Sequence, residues 1–582
     1  MIKSLGWRVR TFRVPNLKVD NPRQVVAVLA LGIPLTLFVF FPLGLLVLNS
    51  FREIGFGDLG FSLTKLTLNN YLEAYSNPLT WQMLQNSLIF AVGAMGVSLL
   101  LGGTLAFLVE RTNVPFRRYG FLLVVPSLIL PGVLEAVAWA LLLGPNNGLV
   151  NKLWFSMGFS DPIVNAFSMP AMWLVQGISG SPLVFLMLGA SLRRMDPSLE
   201  EAALTSGSSP LAVMFRITAK LILPALAGVA LLQLVRALEA METPLFLGMP
   251  GRIIVFSTNI FLAVHERFPP QYGLGFSYAI MLVALTIVGL SFYRRVLRHA
   301  ERYAVVGGKG YQPRILDLGR WKPVGGGFMV FYLLICVVMP LGMLLWVSLL
   351  PGYEIPSVEA FSKITLRNYV RVLQDPRMVQ MLTNTATVAL VSSFAVIAIS
   401  LLISWSVLRT KVKGRELLDT VAFLPYAIPS LVVGVAFMVM FLSFKNPIYG
   451  TVWLLALAYI LSYLPMGTRF TNAGLAQIHK ELEEAAQASG STFWTVLGRI
   501  VVPLMMPSLI AGGLYVFILS VKQFSIPAIL ATADTTVLAF QVWSLWREGL
   551  LGQLGALAVL LMGVMSVVAF VWIRLGGRFD LG

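Results

Sequence analysis

Cysteine is nearly missing: Cys336 is the only one in 582 residues, so no disulfide forms within the chain. It lies in an apolar run and reads as a small side chain facing lipid or core. Histidine is almost as scarce. His265, His299 and His479 stand far apart, without the spacing of metal ligands, and no metal site is expected. Charged residues make up 12% of the chain against 57% hydrophobic, and a soluble domain needs about a quarter charged. No Gly-rich stretch has the spacing of a phosphate-binding loop; Gly307-Gly308-Lys309-Gly310 lacks it as well. No nucleophile, base and orienting residue combine, so catalysis by this chain is not expected and no cofactor of its own is assigned.

What is abundant is apolar sequence in long runs. Stretches of about 20 residues, enough to cross a roughly 30 Å hydrocarbon layer, occur at 25–49, 87–109, 120–144, 169–191, 221–241, 276–297, 327–350, 385–408, 418–443, 451–469, 503–521 and 554–573. The runs are continuous rather than alternating, which favours helices over a barrel. The chain therefore reads as an all-α polytopic membrane protein with about twelve transmembrane helices. Its formal charge of +17 is scattered between the spans instead of forming a nucleic-acid patch. With a cytoplasmic N-terminus, roughly 30 of the 43 Lys and Arg fall on the cytoplasmic side and about 11 on the other, so both termini are expected inside. The first run follows a basic segment at 1–24 and is too long for a signal peptide, so it reads as a retained anchor.

The chain also repeats itself. LTLNNYLEAYSNPLTWQMLQNS from Leu66 returns as ITLRNYVRVLQDPRMVQMLTNT from Ile364, Tyr71 matching Tyr369 and Asn86 matching Asn384 at an offset of 298. Arg111 in ERTNV matches Arg409 in LRTKV at the same offset. EEAALTSGSSPLAVMFRI from Glu200 returns as EEAAQASGSTFWTVLGRI from Glu483, at an offset of 283, so the first half holds about 15 extra residues near GPNNGLVNKLWFSMGFSDP. Six spans return a chain to its starting side. The expected organisation is thus two parallel, pseudo-symmetric six-helix halves, 25–304 and 328–582, joined by a cytoplasmic linker at 305–327.

The two polar copies, near 197–224 and 480–507, lie between the fourth and fifth spans of their halves. Glu-Ala-Ala favours helix, acidic residues suit its first turn, and Gly207 and Gly490 supply a break that leads into a second helix. Small alanines let another protein approach the backbone, and the glutamates offer charged contacts at the rim.

Glu-Ala-Ala, three residues, Gly, nine residues, then Ile resembles the EAA loop of permease subunits of binding-protein-dependent ABC importers. Glu201, Ala202, Ala203, Gly207 and Ile217 fill the pattern in the first copy, with Glu200 before them. Glu484, Ala485, Ala486, Gly490 and Ile500 fill it in the second, with Glu483 before them. Pro503 also fits, whereas the first copy has Lys220 there, which suggests unequal exits from the two loops. Fusion of two halves by a linker resembles the ferric-iron importer group; similar fused permeases carry thiamine, phosphonates and other small solutes. The resemblance implies two ATPase subunits that bind ATP and Mg and dock on the two loops, a periplasmic binding protein that delivers solute, and a bacterial inner-membrane location. The loops before spans 2 and 8 are expected to receive that binding protein. The competing classes are an ion-coupled secondary transporter, against which the duplicated loops argue, and a membrane-embedded enzyme, which needs intramembrane catalytic groups for which Glu135 and Glu239 are thin evidence.

Ionisable residues within spans mark candidate pathway groups. They are Glu135 in span 3, Arg236 and Glu239 in span 5, and Lys522 at the end of span 11. The 283-residue offset makes Glu239 and Lys522 equivalent, and the expectation is that they face one another near the central axis. The alternative is that Arg236 and Glu239, three residues apart, neutralise each other on one helix face.

Overall fold

The computed structural model describes residues 22–55, 62–193, 195, 198–300, 315–444 and 446–575. Most of the expected N-terminal segment (1–21) and part of the expected linker (305–314) lie outside the described residues. The protein is all-α: among the described residues only isolated bridges occur, between Arg52 and Leu66 and between Thr112 and Leu316.

Among the described residues ten helices are long and apolar enough to span a membrane. In the first half these are span 1 (Pro22–Ser50), span 2 (Pro78–Arg111), span 4 (Met169–Arg193), span 5 (Arg216–Glu239) and span 6 (Tyr272–Ala300). The second half repeats them as span 7 (Gly319–Ser348), span 8 (Pro376–Arg409), span 10 (Val452–Ala476), span 11 (Phe493–Lys522) and span 12 (Leu551–Leu575).

Spans 3 and 9 depart from the continuous helices expected at 120–144 and 418–443. Span 3 is Arg117–Ile129 followed by Gly132–Leu143, bent by 94°, and span 9 is Arg415–Ala427 followed by Ser430–Ser443, bent by 103°. Both breaks have one cause. Leu130 and Ile428 each precede a proline and sit at ψ 121° and ψ 119°, because the proline ring excludes the helical conformation from the residue before it. Neither broken helix turns back. Arg117 Nε donates to Val109 O (2.6 Å) where span 2 ends, and the Tyr353 hydroxyl, just past span 7, donates to Leu141 O (2.9 Å) and Asn147 O (2.7 Å) at the far end of the bundle. Span 9 likewise runs along span 1, from Leu418 against Gly32 to Phe437 and Phe444 against Phe38 and Phe41. Counting each broken pair once gives twelve crossings.

The halves interlock. Span 1 lies on span 9 of the second half, and span 7 lies on spans 3 and 4 of the first, with Ser127 Oγ donating to Cys336 O (3.2 Å) and Ser181 bonded to Tyr332 (2.9 Å). Small residues bring spans together: a Cβ on Gly102 would fall 2.2 Å from Ser181 O, and one on Gly467 2.4 Å from Ser400 Oγ. The extra residues of the first half form the helix Leu149–Ser156. Buried Asn151 ties it down by donating to the carbonyls of Leu143, Gly144 and Val164. The chain between spans 5 and 6 is not a simple loop. Pro244–Gly248 and Phe256–Phe261 are buried short helical turns, echoed by Ser525–Leu530 and Leu538–Arg547 before span 12.

Candidate coupling helices and a buried charge cluster

Each polar copy folds as expected into a short helix and a turn. The helices are Ser198–Thr205 and Lys480–Ala488. Each ends in paired closing bonds: Gly207 N to Leu204 O and Ser208 N to Ala203 O in the first, Gly490 N to Gln487 O and Ser491 N to Ala486 O in the second, all 2.9–3.0 Å. That closure places the glycine in the left-handed region, at φ +86° and +85°. A Cβ there would meet nothing within 4 Å, so glycine is required for backbone conformation and not for space.

The paired glutamates divide their work. Glu201 and Glu484 are exposed, as are Ala202 and Ala485, whereas Ala203 and Ala486 are half-buried. Glu200 and Glu483 are buried, at 2% and 4% exposure, and do not contribute to a charged rim. Glu200 accepts from the Arg111 guanidinium at the end of span 2 and from Thr218 Oγ1 (2.6 Å). Glu483 accepts from Arg409 Nε (2.6 Å) at the end of span 8 and from Trp405 Nε1 (3.0 Å); Arg409 also donates to the carbonyls of Leu475 and Ile478. Each short helix is thus bolted to the span that ends beneath it by one buried ion pair. The sequence shows Arg111 and Arg409 as a repeated pair, but not that they hold the glutamates.

Ile217 and Ile500 lie in matching widened turns, Met214–Thr218 and Leu497–Val501. Ile500 packs on a buried cluster that includes Leu401, Leu475 and Val496. The helices that follow begin at Ala219 and Val502, equivalent positions, so the loop exits are alike despite Lys220 facing Pro503 in the comparison. The unequal feature is the second partner of the buried glutamate, Thr218 in one copy and Trp405 in the other.

The expected pairing of Glu239 with Lys522 is absent. Lys522 Nζ donates to Leu128 O (2.7 Å), at the break of span 3, and lies within electrostatic reach of Glu135, Arg236 and Glu242. Glu239 lies within reach of Arg236 and of Tyr426, beside the break of span 9, and its Oε1 is buried without a hydrogen-bond partner. Leu128 and Tyr426 are themselves equivalent at the 298 offset. Each of the two repeat-related residues therefore reaches the break in the opposite half instead of meeting its twin on the axis. Arg236 is exposed and Glu135 is buried beside Ser179. Glu242 was missed because it lies one residue past the apolar run; it packs against Gly132, where a Cβ would be 3.9 Å from its Cγ. Its signal was its place three residues after Glu239.

Above this cluster the halves are sealed by aromatic rings. Phe246 meets Phe524, Trp543 and Trp546 at centroid distances of 6.1, 5.3 and 5.7 Å, and Arg547 Nη1 pairs with Glu266 Oε1 (3.0 Å) across the halves. Among the described residues no group of three or more His, Cys, Asp or Glu is arranged to hold a metal ion.

Residues 397–577, including the second short helix, match the family described as binding-protein-dependent transport system inner membrane component. The chain is 26% identical to the ferric transport system permease protein FbpB of Actinobacillus pleuropneumoniae, over 84% of this chain and 71% of that protein. It is 26% identical to the putative ferric transport system permease protein FbpB 1 of Haemophilus influenzae, over 78% of this chain and 71% of that one. The sulfate transport system permease protein CysT of Escherichia coli is 29% identical over 29% of this chain and 64% of its own. Among solved structures, a bacterial ABC transporter that imports alginate, in complex with an alginate pentasaccharide-bound periplasmic protein, matches with 18% identity and a TM-score of 0.35, over 44% of this chain and 97% of that one. Residues 397–577 thus carry the inner-membrane component of a binding-protein-dependent transport system, and the likeness to ferric transport permeases over most of the chain supports reading the whole as an ABC importer permease.

Proposed function

We propose that this permease carries ferric iron across a bacterial inner membrane, with both termini cytoplasmic. Two ATPase subunits, each binding ATP and Mg, dock on the helices Ser198–Thr205 and Lys480–Ala488, and a periplasmic binding protein delivers the cargo at the opposite end. The observation that carries the reading is the pair of identically closed helices, each presenting Glu201 or Glu484 outward while a buried Arg–Glu pair ties it to a span. A motor that closes on both helices would pull the ends of spans 2 and 8 with them and rock the halves about their pseudo-symmetry axis. Spans 5 and 11 carry that motion to Arg236, Glu239 and Lys522, which with Glu135 line or close the pathway. The ferric assignment is supported by the relatives that bear that name, and by the carboxylates near the pathway, since hard cations prefer oxygen donors. In vesicles holding the permease, its ATPase and its binding protein, ferric-loaded binding protein should stimulate ATP hydrolysis. Stimulation by an organic phosphorus compound or a vitamin, with none by ferric ion, would overturn the cargo and leave the machine intact.

A further inference from the structure

Glu239 and Lys522 occupy equivalent places in the two halves with opposite charge, and the breaks they touch explain what the difference does. The first half-helix of span 3 ends at Ile129, so its last carbonyls lack intrahelical donors and carry partial negative charge. Lys522 Nζ, arriving from the other half, donates to one of them, Leu128 O. Glu135, in the first turn of the next half-helix, and Glu242 stand within its electrostatic reach together with the Arg236 guanidinium, yet among the described residues Lys522 makes no ion pair. An ammonium therefore already occupies a position lined by a carbonyl and faced by two carboxylates. At the equivalent break of span 9, Glu239 brings a carboxyl group near the Tyr426 side chain in place of an ammonium, and its Oε1 is left unpartnered.

We infer that Lys522 is a specificity-determining residue of the pathway: a tethered cation that holds the oxygen-lined break of span 3 in the cargo-free state and gives it up to a multivalent, oxygen-seeking cation. The inference rests on the reading that the cargo is such a cation. Buried carboxylates left uncompensated are costly, so a resident ammonium keeps the empty pathway stable. Cargo then replaces one positive charge with another instead of adding to it.

Terbium(III), a trivalent oxygen-seeking ion, tests this in the full chain held in lipid nanodiscs, with Trp139, one turn beyond Glu135, as a nearby sensitiser of its luminescence. The wild type should bind terbium weakly and Lys522→Met at least tenfold more tightly, while Lys522→Arg should match the wild type. Adding Glu135→Gln and Glu242→Gln to Lys522→Met should abolish the gain. Lys522→Cys, measured before and after aminoethylation of the thiol, controls for misfolding, because the same molecules should lose tight binding when the cation is restored. Equal binding before and after, or a gain that survives removal of both carboxylates, overturns the inference. This assay needs no binding protein, so a positive result beside a failed ferric stimulation of ATP hydrolysis would remove only the cargo reading.

Discussion

At the residue scale, the account turns on Arg111, Arg409 and the two glycines. Removing Arg111 leaves Glu200 charged, buried and held by Thr218 alone, and losing one partner of a buried pair costs about 3–5 kcal/mol. Arg111→Ala should lower the melting temperature of the purified permease, and Arg111→Lys should recover only part of it because the more strongly hydrated ammonium is costlier to bury than a guanidinium. Gly490→Ala should cost about 1–2 kcal/mol from the left-handed conformation alone. Its measurable sign is a drop in binding-protein-stimulated ATP hydrolysis with the basal rate of the ATPase kept. Asp317 gives a pH prediction outside the membrane. The Asn113 amide, then the Gly319 N–H and Lys322, hold its carboxyl down at about 2. Its contribution is therefore full above the ordinary carboxylate range near 4 and disappears as pH falls towards 2. Asp317→Ala at pH 7 should then speed hydrogen exchange at Leu318 N–H, which Asn113 otherwise accepts (3.0 Å). The EAA residues were legible because they are repeated with their order intact. The roles of Arg111 and Arg409 were not, since a repeat shows that a residue matters twice but not what it touches 89 or 74 positions away.

At the element scale, the broken helices are the informative departure. An apolar window averages over Leu130-Pro131 and Ile428-Pro429, so hydropathy alone reads through both breaks, although the prolines that cause them were in plain view. The breaks matter because Lys522 and Tyr426 sit at them. Pro131→Ala removes the restriction on Leu130 and lets the two half-helices join. The expected outcome is a permease that still assembles but transports several-fold more slowly, checked by uptake into vesicles against the quantity of complex recovered. An unaltered rate would show that the break plays no part in the pathway. The same reasoning explains the missed turns at Pro244–Gly248 and Ser525–Leu530, which are too short to register as spans yet lie buried between the halves.

At the scale of the whole molecule, the repeat predicted two six-helix halves, and twelve crossings in that order are present. It did not predict that spans 1 and 7 would each pack on the opposite half, because pairing between distant apolar faces leaves no mark in local sequence. The consequence is testable with the chain cut in the linker. The second half expressed alone lacks Phe38 and Phe41 against Phe437 and Phe444. It should be poorly stable alone and be rescued when the first half is co-expressed, with the two fragments co-purifying. Recovery of either half as a stable separate species would contradict the interlock.

The central claim is that two cytoplasmic helices are the points where an external motor grips this membrane domain. Cys336 is buried, so a cysteine placed at exposed Ala202 or Ala485 would be the reactive thiol of the chain. Cross-linking in the assembled complex should join each position to an ATPase subunit, and both together should yield one permease carrying two. Failure of both positions to cross-link in a complex that retains stimulated ATP hydrolysis would contradict the account.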